Sequence, residues 1–130
     1  MKTNAQSEMK RILDHIRQAL GQVPSAVEKL ARVDPGMIHE HLRSQAYAMP
    51  SEAPALDDET RTLIYLAAAL ASSSQPCVRA TIDKARIQRI PREKIMETVH
   101  IVRFAAASKV VSDAESVFEY LEQFDHQAGQ

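Results

Sequence analysis

The stretch Leu63-Ile64-Tyr65-Leu66-Ala67-Ala68-Ala69-Leu70-Ala71 is apolar on every side, and it constrains the fold more than any other segment. A helix with no polar face needs neighbours all round it, so this one is expected at the centre of a helical assembly. The run is about half the length that a membrane span requires, so no membrane role is expected from it. No part of the chain alternates with period two, the signature of a half-buried strand. Glycine occurs only at Gly21, Gly36 and Gly129, too few for a turn-rich β architecture, and hydrophobic residues at 45% exclude a disordered chain. Aromatics are 5% with no Trp, which leaves Leu, Ile, Val, Met and Ala to build the core. The expected fold class is all-α, one domain over residues 1–130.

Six further helices are expected around the apolar one. Met9, Ile12, Leu13, Ile16 and Leu20 recur at helical spacing, which predicts an amphipathic helix over 7–20 closed by Gly21. Val23-Pro24 is a connector, and Val27, Leu30 and Ala31 mark a short second helix. Asp34-Pro35 reads as an N-cap followed by Pro in the first turn, opening a third helix with Ile38, Leu42, Ala46 and Met49 on one side. It stops at Met49-Pro50. Asp57 or Asp58 starts the apolar helix, where a carboxylate suits the positive end of the helix dipole. Ser72-Ser73-Ser74 interrupts it, and the Ser74 hydroxyl is expected to cap the next helix, which turns Val78, Ile82 and Ala85 inward. A sixth helix follows Ile90-Pro91 and carries Ile95, Val99, Val102 and Ala106. Ser112-Asp113-Ala114-Glu115 reads as a capping box for a seventh, with Val117, Phe118, Leu121 and Phe124 inward.

A formal charge of −1 is too balanced for a protein that binds nucleic acid by neutralising phosphates. The charges are nonetheless unevenly spread. Residues 52–59 hold Glu52, Asp57, Asp58 and Glu59 without a base, whereas residues 79–94 hold six bases against two acids. These segments read as solvated faces that pair across a subunit contact, with anion binding as the alternative. The first residues lack the basic-then-apolar order of a signal peptide. A lone cysteine supplies no disulfide framework, and the expected location is the cytoplasm.

Few residues carry the elements of a reaction centre. His39 and His41 would stand about 200° apart on a helix and cannot grip one metal ion. Glu97 and His100 share a face, but the di-iron sites that use this spacing need a second copy and two further glutamates, which the chain lacks. No metal is expected. The three serines at 72–74 have no strand-turn-helix elbow around them. Cys77 remains. It falls in the first turn of a helix, where the dipole favours a thiolate, with Arg79 and Arg86 in the same segment. A free cysteine is equally at home as a small buried hydrophobe.

The order of a long apolar helix, a break, a helix bearing Cys77 and then Ile95-Met96-Glu97-Thr98 resembles the carboxymuconolactone decarboxylase-like family, which includes the alkylhydroperoxidase D proteins. The likeness is best over 56–110, from Leu56-Asp57-Asp58-Glu59-Thr60-Arg61-Thr62-Leu63-Ile64 to Ala105-Ala106-Ala107. Leu20-Gly21-Gln22-Val23-Pro24 and Val33-Asp34-Pro35 are similar to the family's N-terminal segments. The resemblance implies a bundle of six to seven helices that assembles as a homo-oligomer, a trimer or hexamer. It implies no cofactor. Redox members have a Glu, then eleven residues, Cys-x-x-Cys and a His four residues on. Laid on this chain, those positions are Thr62, Ser74, Cys77 and Thr81, so only the second cysteine is present. The decarboxylase branch uses a His at the position of Thr81, which is also missing. The family's glycines near 89 and 106–107 are here Arg89, Ala106 and Ala107, and the loop at Arg89 is expected to be rebuilt to avoid a left-handed residue.

Three functions follow. The first is a diverged peroxiredoxin-type or alkylhydroperoxidase-type antioxidant protein that uses Cys77 alone, its sulfenic acid resolved by an outside thiol or by Cys77 of another subunit, with His100 or a nearby Arg replacing the absent base. The second is a catalytically inactive member that binds a small ligand where the site was. The third is an oligomeric assembly domain joined by its acidic and basic segments.

Overall fold

The computed structural model describes residues 3–130, and among them all regular structure is helical. The helices are α1 (Asn4–Leu20), α2 (Ser25–Val33), α3 (Pro35–Ala48), α4 (Asp58–Ala71), α5 (Gln75–Ile87), α6 (Arg92–Asp113) and α7 (Glu115–Ala128). The expected all-α class and helix order are therefore observed. α1 begins before residue 7 because Thr3 and Gln6 form a capping box, each side chain bonding the other's backbone amide. Gly21 closes that helix at φ 80°, Asp34 caps α3 through the Met37 amide (3.2 Å), and Asp57 caps α4 through the Thr60 amide (2.7 Å).

α4 packs against both α5 and α6, α1 lies on α5, and α2 pairs with α3. The Gln22 carboxamide ties the α1–α2 connector to α5 by donating to Asp83 (2.9 Å). Thr62, Leu66 and Ala69 form the buried stripe of α4, at the spacing of one helix face, and Thr81 and Ala85 form that of α5. Ile38 and Ile90 complete the buried set among the described residues. The apolar helix is thus central, but this chain covers only part of it, since Ile64, Tyr65 and Ala68 remain exposed.

Two helix ends are built without glycine. At the end of α5, Arg89 donates its amide to the Arg86 carbonyl and Ile90 to the Ala85 carbonyl, both at 3.1 Å. This is the Schellman pattern, and it holds Arg89 left-handed at φ 54°. The loop is not rebuilt. Its geometry is kept with an arginine in a place that suits glycine, because the turn drops Ile90 into the core beside Ala85. Ser73 repeats the pattern after α4 at φ 58°, with Ser73 bonding Leu70 (3.2 Å) and Ser74 bonding Ala69 (3.0 Å).

Other expectations change. Ser112 does not open α7. α6 continues through it, and its hydroxyl bonds the Ser108 carbonyl within the helix (3.2 Å). Ala114 alone separates α6 from α7, without a side-chain cap. Ile82, Val117, Phe118, Leu121 and Phe124 are exposed rather than inward. One link between the acidic and basic segments is made within the chain, where Glu59 on α4 pairs with Lys94 on α6.

Arg89→Gly relieves the left-handed strain at the end of α5. It is expected to raise unfolding stability by about 0.5–1 kcal/mol after the extra freedom of glycine in the unfolded chain is subtracted. Arg89→Ala, which keeps the strain, should leave the urea midpoint nearly unchanged. A lower midpoint for the glycine variant would contradict this account.

Candidate functional site

Cys77 is the third residue of α5, so its side chain leaves from the first turn of that helix. It is half-buried and is the free cysteine of the chain. Across the interface, Tyr65 on α4 brings its hydroxyl to 3.6 Å from the thiol sulfur and donates to it. Ser74 occupies the N-cap position, but its hydroxyl bonds no backbone amide, contrary to the expected cap. It acts on the thiol instead. The Ser74 hydroxyl first and the Tyr65 hydroxyl second hold the Cys77 pKa below its ordinary value, and partial burial opposes them. Only the Tyr65 contact has full hydrogen-bond geometry. The physical cause is that hydroxyl donors stabilise the thiolate more than the thiol. The same pairing, with burial, pushes the Tyr65 pKa up, so its hydroxyl stays protonated.

The positive charge expected to act on Cys77 is not what lowers its pKa. Arg86 pairs with Asp83 on its own helix (3.3 Å), and Arg79 is exposed. The His100 side chain is exposed on α6 and forms no hydrogen bond or ion pair among the described residues. The structure therefore does not join it to Cys77.

Thr62 and Thr81 stand on the two buried stripes, 2% and 4% exposed. The Thr81 hydroxyl donates to the Cys77 carbonyl one turn back (2.6 Å). The Thr62 hydroxyl lies 2.9 Å from the Asp58 carbonyl and 2.7 Å from Gln88 Oε1, one proton serving two acceptors. Both side chains are thus committed to holding helices, and a threonine hydroxyl does not ionise near neutral pH. Neither threonine can act as a carboxylate or as an imidazole base. No metal cluster of three or more His, Cys, Asp or Glu side chains occurs among the described residues.

Tyr65 is the residue that sequence reasoning missed. It was absorbed into the apolar run, although it is the one member of that run with a hydrogen-bonding tip, and a half-wet tyrosine seeks a partner for its hydroxyl. Two open grooves lie elsewhere: one of about 460 Å³ between Met9, Leu13, Ala31 and Pro35, the other along Glu119, Glu122, Gln123 and His126 of α7.

These features define an all-helical protein with a single hydroxyl-flanked thiol at a helix start. A model of the carboxymuconolactone decarboxylase family matches residues 40–120, most of the chain and more than the 56–110 core of the resemblance. The chain belongs to the carboxymuconolactone decarboxylase family. A comparison with curated proteins finds no match.

Alkylation of Cys77 by iodoacetamide should follow a titration whose midpoint lies below the ordinary cysteine value. Removing a hydroxyl donor disfavours the thiolate, so Ser74→Ala and Tyr65→Phe should each move the midpoint up. A midpoint that neither variant moves would contradict the assignment of cause.

Proposed function

We propose that the chain is a one-cysteine, thiol-dependent hydroperoxide reductase, an antioxidant use of the family scaffold in a reducing cytoplasm. The observation that carries this reading is the half-exposed Cys77 thiol, biased toward thiolate by the hydroxyls of Ser74 and Tyr65. The thiolate attacks the terminal oxygen of the hydroperoxide and forms an S–O bond as the O–O bond breaks. The departing alkoxide takes a proton, which the Tyr65 hydroxyl delivers and regains from water. The products are an alcohol and the Cys77 sulfenic acid. An outside thiol then displaces water to give a mixed disulfide. A second outside thiol releases the Cys77 thiol and leaves as the disulfide of the reductant. The reductant must come from outside because the sequence holds one cysteine. His100 has no role in these steps.

A second reading is favoured by the buried, self-satisfied hydroxyls of Thr62 and Thr81. On that reading the family site has been closed, and the chain is an inactive member serving as a ligand-binding or assembly domain. In that case Cys77 stays silent toward peroxide.

Consumption of an organic hydroperoxide with dithiothreitol as reductant separates the two. Cys77→Ser should reduce turnover to background, and Tyr65→Phe should lower it by roughly tenfold, the worth of one hydrogen bond of about 1.4 kcal/mol. Turnover unchanged in Cys77→Ser would remove the redox reading.

A further inference from the structure

Ser112-Asp113-Ala114-Glu115 is a complete capping box by sequence, and the structure leaves it unused. α6 runs through it to Asp113, and the Ser112 hydroxyl turns back to the Ser108 carbonyl (3.2 Å). A serine bonded in this way slightly weakens the helix that contains it. Ala114 alone then separates α6 from α7, at φ −87° and ψ 5° and without a side-chain cap. The junction thus lacks the cap that its own four residues encode.

The helices on either side of this junction carry apolar stripes that are open to water. On α6, Ile101, Phe104 and Ser108 share one face, and on α7 Val117, Leu121 and Phe124 do. Phe104 is 73% exposed and Phe124 55%, so the two stripes do not cover each other. The α6 stripe lies opposite Ile95, Val99 and Val102, the half-buried side of that helix, and so points away from α4. A helix of 14 residues owes little of its stability to propensity, which leaves α7 in need of a surface.

The two stripes are mirror images about the capping box. Steps of three and four lead from Ile101 to Phe104 and Ser108, and steps of four and three lead from Val117 to Leu121 and Phe124. Folding the chain between Ser112 and Asp113 therefore sets Ser108 level with Val117, Phe104 with Leu121 and Ile101 with Phe124. An antiparallel helix pair needs such a register, whereas contact with an unrelated surface imposes no symmetry about the junction. Ala105 and Ala107 flank Phe104 and are small enough to admit the Phe118 and Tyr120 rings at the edges. Glu119, Glu122, Gln123 and His126 form the opposite face of α7 and stay in water.

We propose that the α6–α7 junction is a hinge, and that α7 closes onto the outer face of α6 within a single chain. The structure has the arm in its open position, with α6 continuous. On closing, the turn from Val110 to Ser112 becomes the connection, within the roughly two to five residues usual between antiparallel helices. Ser112 leaves α6 and accepts from the Glu115 amide, while the Glu115 side chain accepts from the Ser112 amide. These bonds replace the one from Ser112 to Ser108 and the pairing of Lys109 with Asp113 in the open helix. The stripes then remove each other from water. The motion involves neither α4, α5 nor Cys77, so it is independent of the redox reading.

Double electron–electron resonance tests this on the full chain carrying Cys77→Ser, Arg103→Cys and Gln123→Cys. The spin-labelled chain is mixed with excess unlabelled Cys77→Ser chain, so that the distance read lies within one chain, and circular dichroism checks that each variant is helical. An extended arm separates the two sites by up to about 30 Å, whereas a hairpin with axes about 10 Å apart brings the labels to about 20 Å. A population at the shorter distance is expected. Ser112→Ala with Glu115→Ala removes the box and should lower the closed-to-open ratio by about fivefold. Asp113→Pro should raise that ratio, because proline suits the first turn of α7 and breaks a continuous α6. A single long distance in the parent chain overturns the proposal. So does a short population that survives loss of the box undiminished, or one that Asp113→Pro depletes.

Discussion

The close contact of α4 with α5 underlies the rest of the structure. Its buried positions are small or branched: Thr62, Leu66 and Ala69 on one helix, Thr81 and Ala85 on the other. Small side chains let two helices approach, and the two threonines remain affordable in an apolar place because their hydroxyls bond their own helix carbonyls. Thr62 also reaches Gln88, just past the end of α5, so one hydroxyl links the start of α4 to the close of its partner. α6 packs on the same α4, and α1 lies on the same α5.

This contact also sets the chemistry. It brings Tyr65 across to Cys77, so the thiol of one helix is tuned by a hydroxyl of the other. The thiol is prepared by hydrogen-bond donors and a helix start rather than by a charged base. That is a milder device than a carboxylate-imidazole pair, because neutral donors shift a pKa less than a nearby charge does. Thr62 and Thr81, buried in this contact, contribute packing.

The helix ends show how firmly this frame is held. Arg89 and Ser73 both adopt left-handed conformations that glycine would occupy without strain. Each turn completes a Schellman pattern, one delivering Ile90 to the core and the other leading Ser74 to the side of Cys77. Tertiary packing outweighs a local cost of about 1–2 kcal/mol at each. The same chain that accepts strain to bury Ile90 leaves Phe104, Phe118, Leu121 and Phe124 uncovered.

Helix number, order and most boundaries were legible in the sequence because they depend on local chemistry. Gly21, Asp34-Pro35 and Asp57 each act on the nearest turn, and the 3.6-residue pattern is visible without knowing what it packs against. The Thr3 and Gln6 box was equally local and was missed only because the apolar pattern starts later. Ser112-Asp113-Ala114-Glu115 shows the opposite failure, since a valid cap pattern does not stop a helix that is already running. What tertiary structure decided was which side chains meet: Tyr65 with Cys77, Thr62 with Gln88, Glu59 with Lys94. These pairs lie 12, 26 and 35 residues apart, beyond the reach of any local pattern. Periodicity marks the apolar face of α7 but is silent on whether that face turns to its own chain, and only the packing shows that it does not.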